Sequence, residues 1–181
     1  MEQNDINRDL KLLKDAQKGN KRAIETLFNT YKDPAFNISY RMVQRTDVAE
    51  DIVMDSFIKI MEGNFNITDS FKSYFFRSVI NNSLNYLKKE KRENISFEEG
   101  GFDVITQETP EKVYEKEERL RKIKEAIQKL PENQKTALIL IKYEDLSYKE
   151  AAEIMGKSVK SVESLMIRAK DNLQKELKDE I

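Results

Sequence analysis

Between Asn20 and Arg92 apolar residues recur every three or four positions, the spacing that draws one stripe along an α-helix. Asp33-Pro34 and the stretch from Gly63 to Ser70 interrupt the pattern, which therefore predicts several packed helices. The periodicity stops after Arg92. It resumes at Lys112 and runs to Leu177, where Leu130-Pro131, Asp145 to Ser147 and Met155-Gly156 divide it into four predicted helices. The intervening stretch, Glu93 to Glu111, holds six acidic residues, no basic ones, Gly100-Gly101 and Pro110. Such a composition predicts an acidic flexible linker. The expected architecture is all-α, with a helical domain over residues 1–92, a linker over 93–111 and a second helical domain over 112–181.

Composition narrows the chemistry. Five Gly and three Pro in 181 residues agree with a helical chain. With no Cys and no His, thiolate nucleophiles, disulfide frameworks and imidazole acids, bases or metal ligands are excluded. The opening stretch from Met1 to Asp15 is polar, and no apolar run approaches the ~18 residues of a membrane span, so the expectation is a cytoplasmic protein that does not insert into membranes. Lys plus Arg total 32 and Asp plus Glu 33, a net charge of -1 that hides a segregated distribution. Arg77, Lys88, Lys89, Lys91 and Arg92 against Glu90 leave +4 at the end of the first domain, and Lys157, Lys160, Arg168 and Lys170 against Glu163 leave +3 in the second. Two basic patches flanking an acidic connector suit a nucleic-acid binder with two points of contact.

The second patch sits on the most specific motif. Leu146-Ser147-Tyr148 opens a short helix, Gly156 is suited to the positive φ of a tight turn, and Ser158 is placed to cap a longer helix. This is helix-turn-helix spacing, with the small Ala152 where the two helices cross. Val162, Leu165, Met166, Ala169 and Leu173 form the expected inner stripe. Lys157, Lys160, Ser161, Glu163, Ser164, Ile167 and Arg168 then face outward, a set able to meet base edges, methyl groups and phosphates in a major groove. A merely solvated face is the plainer account of such periodicity, and the cap, turn and crossing alanine argue against it.

Two earlier helices carry further signals. Asp47 and Glu50 have the layout of a capping box, and Ala49, Ile52, Val53, Phe57 and Ile60 supply a buried stripe. The opposite face mixes carboxylates with apolar tips, Asp51, Met54, Asp55 and Ile58, which predicts a protein partner bearing basic residues. The helix after Ser70 carries Tyr74, Phe75 and Phe76, then Asn81, Asn82 and Asn85, then Lys88 and Lys89. Aromatics, amides and cations in that order suit capture of unpaired bases, and the preceding loop with Asn64, Phe65 and Asn66 could pocket one. Phe71, Phe75 and Leu84 are expected in the core.

In this order the parts resemble an extracytoplasmic-function sigma factor of bacterial RNA polymerase, of the sigma-70 superfamily, over roughly Ala23 to Leu177. Ala49-Glu50-Asp51-Ile52-Val53 with Phe57 is similar to the family's polymerase-docking helix. Leu130-Pro131, Leu146 to Ala152, Gly156, Ser158, Val162 and Arg168-Ala169-Lys170 resemble its minus-35 reading domain. The resemblance implies docking on core RNA polymerase through Asp51, Met54, Asp55 and Ile58. It also implies minus-10 capture by Asn64, Phe65, Asn66, Tyr74, Asn81, Asn85, Lys88 and Lys89, and minus-35 reading by the outward face of the last helix. The linker would thread the polymerase cleft, where carboxylates can occupy a channel built for phosphates. Met54 stands where the family usually has Gln, Tyr74 where Trp is common, Asn85 where Asp is common, and Lys157 where an apolar residue is usual.

The implied function is a non-enzymatic transcription initiation factor with promoter DNA and core polymerase as partners, an anti-sigma factor as a further candidate, and no cofactor or metal. Two rivals remain at this stage. One is a stand-alone helix-turn-helix regulator on duplex operators. The other is a metal-dependent helical nucleotide pyrophosphatase using Glu50, Asp51 and Asp55, which lacks a second helix of matching carboxylates and a phosphate-cradling loop.

Overall fold

The computed structural model describes residues 2–63, 70–93 and 110–178, and every described element is helical. The first domain comprises α1 (Glu2–Gln17), α2 (Lys21–Val43), α3 (Thr46–Glu62) and α4 (Phe71–Glu93). The second comprises α5 (Pro110–Lys129), α6 (Glu132–Leu138) with a π-helical continuation over Ile139–Tyr143, α7 (Tyr148–Met155) and α8 (Val159–Lys178). The acidic stretch 94–109 and the loop 64–69, with the candidate residues Asn64, Phe65 and Asn66, lie outside the described residues. Among the described residues no helix is long and apolar enough to cross a membrane.

The first domain is organised by aromatic rings. Phe71 and Phe75, one helical turn apart on α4, stack at 5.8 Å, and Phe57 of α3 meets Phe75 edge-on at 5.8 Å. Tyr31 of α2 reaches Phe71 at 5.6 Å and Phe76 at 6.0 Å. Such pairs add ~0.5–1.5 kcal/mol each beyond the area they bury. Phe71, Phe75 and Phe76 are all fully buried. Polar groups inside are paired across helices, Ser39 with Ser83 at 3.0 Å and the Asn82 amide donating to Ser56 at 2.8 Å.

Two local expectations are corrected, and one element is added. Asp33-Pro34 does not break the chain, because α2 runs through Pro34 to Val43. A mid-helix proline removes one hydrogen bond and costs ~3 kcal/mol. Burial of Leu27 and Tyr31 before it and of Ala35, Ile38 and Met42 after it offsets that cost. Asp47 is not the cap of α3: the helix begins at Thr46 behind Arg45, with no side-chain cap bond. Asp47 instead pairs with the Arg45 guanidinium, whose hydrogen bond holds its carboxyl below the usual range. The polar start of the chain is a helix too. Leu13 and Ala16 of α1 are buried, and its buried Asp9 accepts from the Tyr31 hydroxyl and from Arg8. Ile6, Leu10 and Leu13 carry the helical spacing that could have revealed it.

Candidate nucleic-acid and protein interfaces

The helix-turn-helix is assembled by local chemistry. Ser147 caps α7 by accepting from the Glu150 backbone at 3.2 Å, and the Glu150 carboxylate accepts from the Ser147 backbone at 2.9 Å, a complete capping box. Gly156 ends α7 at φ +62°, and Lys157 then donates its backbone N–H to the Ala152 carbonyl at 2.9 Å. Ser158 Oγ accepts from the Ser161 backbone at 3.2 Å, which starts α8. Val162, Met166 and Ala169 are buried, Leu165 and Leu173 half-buried, and Ala152 is buried at the crossing.

What remains outward on α8 is the predicted face. Lys160, Glu163, Ser164, Ile167 and Arg168 are exposed, Lys157 and Ser161 half-buried. Ile167 is 63% exposed, an apolar tip that no neighbour shelters. Five of the seven predicted residues thus form one open strip of apolar, charged and hydroxyl groups along α8.

On α3 the structure buries Ala49, Ile52, Val53, Ser56, Phe57 and Ile60. It leaves Asp51, Asp55, Met54 (45% exposed) and Ile58 (41%) on the outside. Beside them α2 and α3 form a groove of about 400 Å³ lined by Phe28, Phe36, Val53 and Met54, with Lys32, Asp33 and Glu50 at its rim. An apolar floor with a charged rim fits a partner helix better than a small ligand. No group of three or more His, Cys, Asp or Glu side chains placed to hold a metal ion occurs among the described residues, Glu50, Asp51 and Asp55 included.

On α4, Asn81, Asn85, Lys88 and Lys89 are exposed and Tyr74 half-buried against the core. Lys89 also approaches Glu93 at 3.9 Å, an exposed pair of little energy. Asn82 departs from the expected row of amides, because its amide is committed to Ser56 and ties α4 to α3.

Sequence reasoning missed a set of residues that join the domains. Arg77 Nε donates to the Ile154 carbonyl at 3.0 Å and its Nη2 to that of Glu153. Lys72 pairs with Glu150 at 2.8 Å. The Arg41 guanidinium lies 3.9 Å from the Tyr143 ring centre, and the Arg41 carbonyl accepts from Gln128 at 3.0 Å. Tyr143 belongs to the π-helical segment, an interruption that commonly marks functional positions.

Comparison with known proteins accords with this geometry. The family model described as Sigma-70 region 2 matches residues 27–93, and that described as Sigma-70, region 4 matches 120–173. The chain is 31% identical to the RNA polymerase sigma-H factor of Pseudomonas aeruginosa, with 93% of each chain covered. It is 32% identical to the ECF RNA polymerase sigma-E factor of Haemophilus influenzae, over 93% of this chain and 95% of that one. In fold it is similar to CnrH, solved in complex with the cytosolic domain of CnrY, at a TM-score of 0.70 and 20% identity over 96% of this chain and 99% of that one. The sigma factor RpoE of Bartonella quintana, solved with the anti-sigma factor NepR, gives 0.64 and 23% over 85% and 96%. Two matched regions in the same order, and relatives of the same length, place the chain in the family of extracytoplasmic-function (ECF) RNA polymerase sigma factors.

Proposed function

We propose that this chain binds core RNA polymerase in the cytoplasm, directs it to two-part promoters and helps open the minus-10 element, leaving catalysis to the polymerase. The observation that carries the reading is the open strip on α8, held by the capped α7, the Gly156 turn and the Ser158 cap, in a chain of this family. Within it, Arg168, Lys160, Lys157, Glu163, Ser161, Ser164 and Ile167 read the minus-35 duplex. Tyr74, Asn81, Asn85, Lys88 and Lys89, with the loop residues Asn64, Phe65 and Asn66, hold the minus-10 strand. Residues 1–92 form the unit that docks and melts, 112–181 the upstream reader, and 93–111 the acidic connector.

Docking on polymerase falls to Asp51, Met54, Asp55 and Ile58, whose exposure supports a partner with basic and apolar groups. An anti-sigma factor seated on the same face would compete with polymerase. The test is run-off transcription with purified core enzyme on a random promoter library. Start-site selection by the added chain is expected, and its failure would sink the reading. Asp51→Arg with Asp55→Arg should abolish co-purification with core enzyme while the melting temperature stays within a few degrees of the parent. DNA binding that needs no core enzyme would instead favour a stand-alone regulator.

A further inference from the structure

We propose that α8 reads the minus-35 duplex with two parallel ridges: Val159, Glu163 and Ile167 select a cytosine flanked by thymines on one strand, and Lys160, Ser164 and Arg168 hold phosphate oxygens. The inference rests on the promoter reading above and names the bases which that reading leaves open. Side chains four residues apart stand one above the other on a helix and form its ridges. Positions 159, 163 and 167 make one such ridge of α8 and positions 160, 164 and 168 the next, and all six residues are exposed. Val159 and Ile167 are two of the few large apolar side chains that the fold leaves in water.

The acid is the informative member. On α5 the exposed Arg121 pairs with Glu118 and Glu125, three and four residues away, as helix surfaces commonly arrange their charges. Glu163 has Val159 and Ile167 one turn away along its ridge, and Lys160, three residues before it, makes no ion pair with it. Among the described residues its carboxylate has no hydrogen bond at all. A carboxylate facing DNA is repelled by every phosphate, so on a reading helix it needs a donor on the groove floor. In the major groove only adenine N6 and cytosine N4 donate; adenine sets its N7 acceptor beside that amine, and guanine and thymine present acceptors. Cytosine is therefore the base from which this carboxylate accepts, and the other three are disfavoured by acceptors set against its charge.

The neighbours on the ridge extend the match. The apolar group that bases present in the major groove is the thymine methyl, and Val159 and Ile167 hold apolar tips about 6 Å to either side of Glu163. From Val159 to Ile167 the ridge is about 12 Å long, which covers three to four base pairs at about 3.4 Å each. Its order of apolar, acceptor, apolar complements methyl, amine, methyl along a pyrimidine strand. The adjacent ridge is of a different kind. Lys160 and Arg168 carry positive charge and Ser164 a hydroxyl, all suited to phosphate oxygens, where they position the helix without selecting a base. Ser158 fixes the register of both ridges, because its bond from the Ser161 backbone sets where α8 begins.

The test is selection from the random promoter library by holoenzyme assembled from core polymerase and the parent chain or a variant. The parent should enrich one cytosine with a thymine within two base pairs on each side of it. Glu163→Ala should lower the preference for that cytosine about tenfold and leave the other positions as they were. Glu163→Gln should move the preference toward adenine, whose N6 and N7 an amide matches. Replacing the flanking thymines by deoxyuridine should weaken the parent and leave the double variant Val159→Ala with Ile167→Ala unmoved. Lys160→Ala should instead weaken binding equally on all sequences and lower its salt slope by about one. A parent consensus without the cytosine, or a cytosine preference that survives both Glu163 substitutions, would overturn the assignment. So would a uniform rise in affinity for every sequence in Glu163→Ala, the mark of a carboxylate that is merely solvated. No enrichment by the parent holoenzyme would remove the promoter reading itself, and this assignment with it.

Discussion

Inside the first domain Phe57, Phe71 and Phe75 meet ring against ring, and the buried polar groups among them, Ser39 with Ser83 and Asn82 with Ser56, are paired. On the other side of α4, the seam with the second domain joins Lys72 to Glu150 and Arg77 to the end of α7, beside a cavity that Lys72 and Glu144 help to line, and Arg41 of α2 holds a buried Nε with no hydrogen-bond partner among the described residues. The same helix thus has a side packed ring against ring and a side held by polar contacts. Ring packing with paired polar groups resists separation more strongly than exposed ion pairs and single hydrogen bonds do.

The largest blow to this comparison should come from Phe75→Ala. Removing a fully buried ring that contacts Phe57, Phe71 and Phe76 should cost about 3–5 kcal/mol, read as a loss of stability in urea unfolding. A loss below about 1 kcal/mol would mean that the aromatic cluster is looser than described. Ser147→Ala strikes the second domain's own framework by deleting the hydroxyl that accepts from the Glu150 backbone and donates to the Glu150 carboxylate, while the backbone N–H of residue 147 keeps its bond to that carboxylate. It should cost about 1 kcal/mol, with weaker binding to minus-35 duplex following from a frayed α7.

The smallest effect belongs to the seam and is a matter of pH. Glu144 faces Arg41 of α2 and its neighbour Asp145, and it shares the cavity with Asp5, Arg8 and Asp9 of α1, Tyr31 of α2, Lys72 of α4, and Glu150 and Glu153 of α7. Its pKa is raised by burial in the closed chain from 4.5 to about 7. The closed form therefore holds this proton more tightly. Its contribution to closure is complete below about 4.5 and fades as pH rises through about 7. With spin labels at Glu25→Cys and Lys175→Cys, the short-distance EPR population should fall about threefold between acid and mildly alkaline buffer, discounted for partial exposure. Glu144→Gln should flatten that profile, and a profile unchanged by the substitution would assign the titration elsewhere.

The helix-turn-helix was the most legible part of this molecule, because its signals are local: Ser147 with Glu150, Gly156, Ser158 and the stripe from Val162 to Ala169 each act within a few residues. The buried face of α3 was equally readable from periodicity. Errors arose where a distant group decided the outcome. Pro34 looked like a break until the packing of α2 on its neighbours outweighed it. Asp47 looked like a cap, yet Arg45 claimed it, and Asn82 looked free until Ser56 of α3 came within reach.

Sequence alone determined the helical class, the two-domain order, the Ser158-capped α8 and the outward set on α3, since each follows from the 3.6-residue period and from capping within one turn. Only the tertiary structure decided that α1 closes the first core through Asp9 and Tyr31, and that Arg77 lies against the end of α7. The partners in that last contact are 76 and 77 residues apart, and no local rule of dihedral angle or period carries information over such a separation.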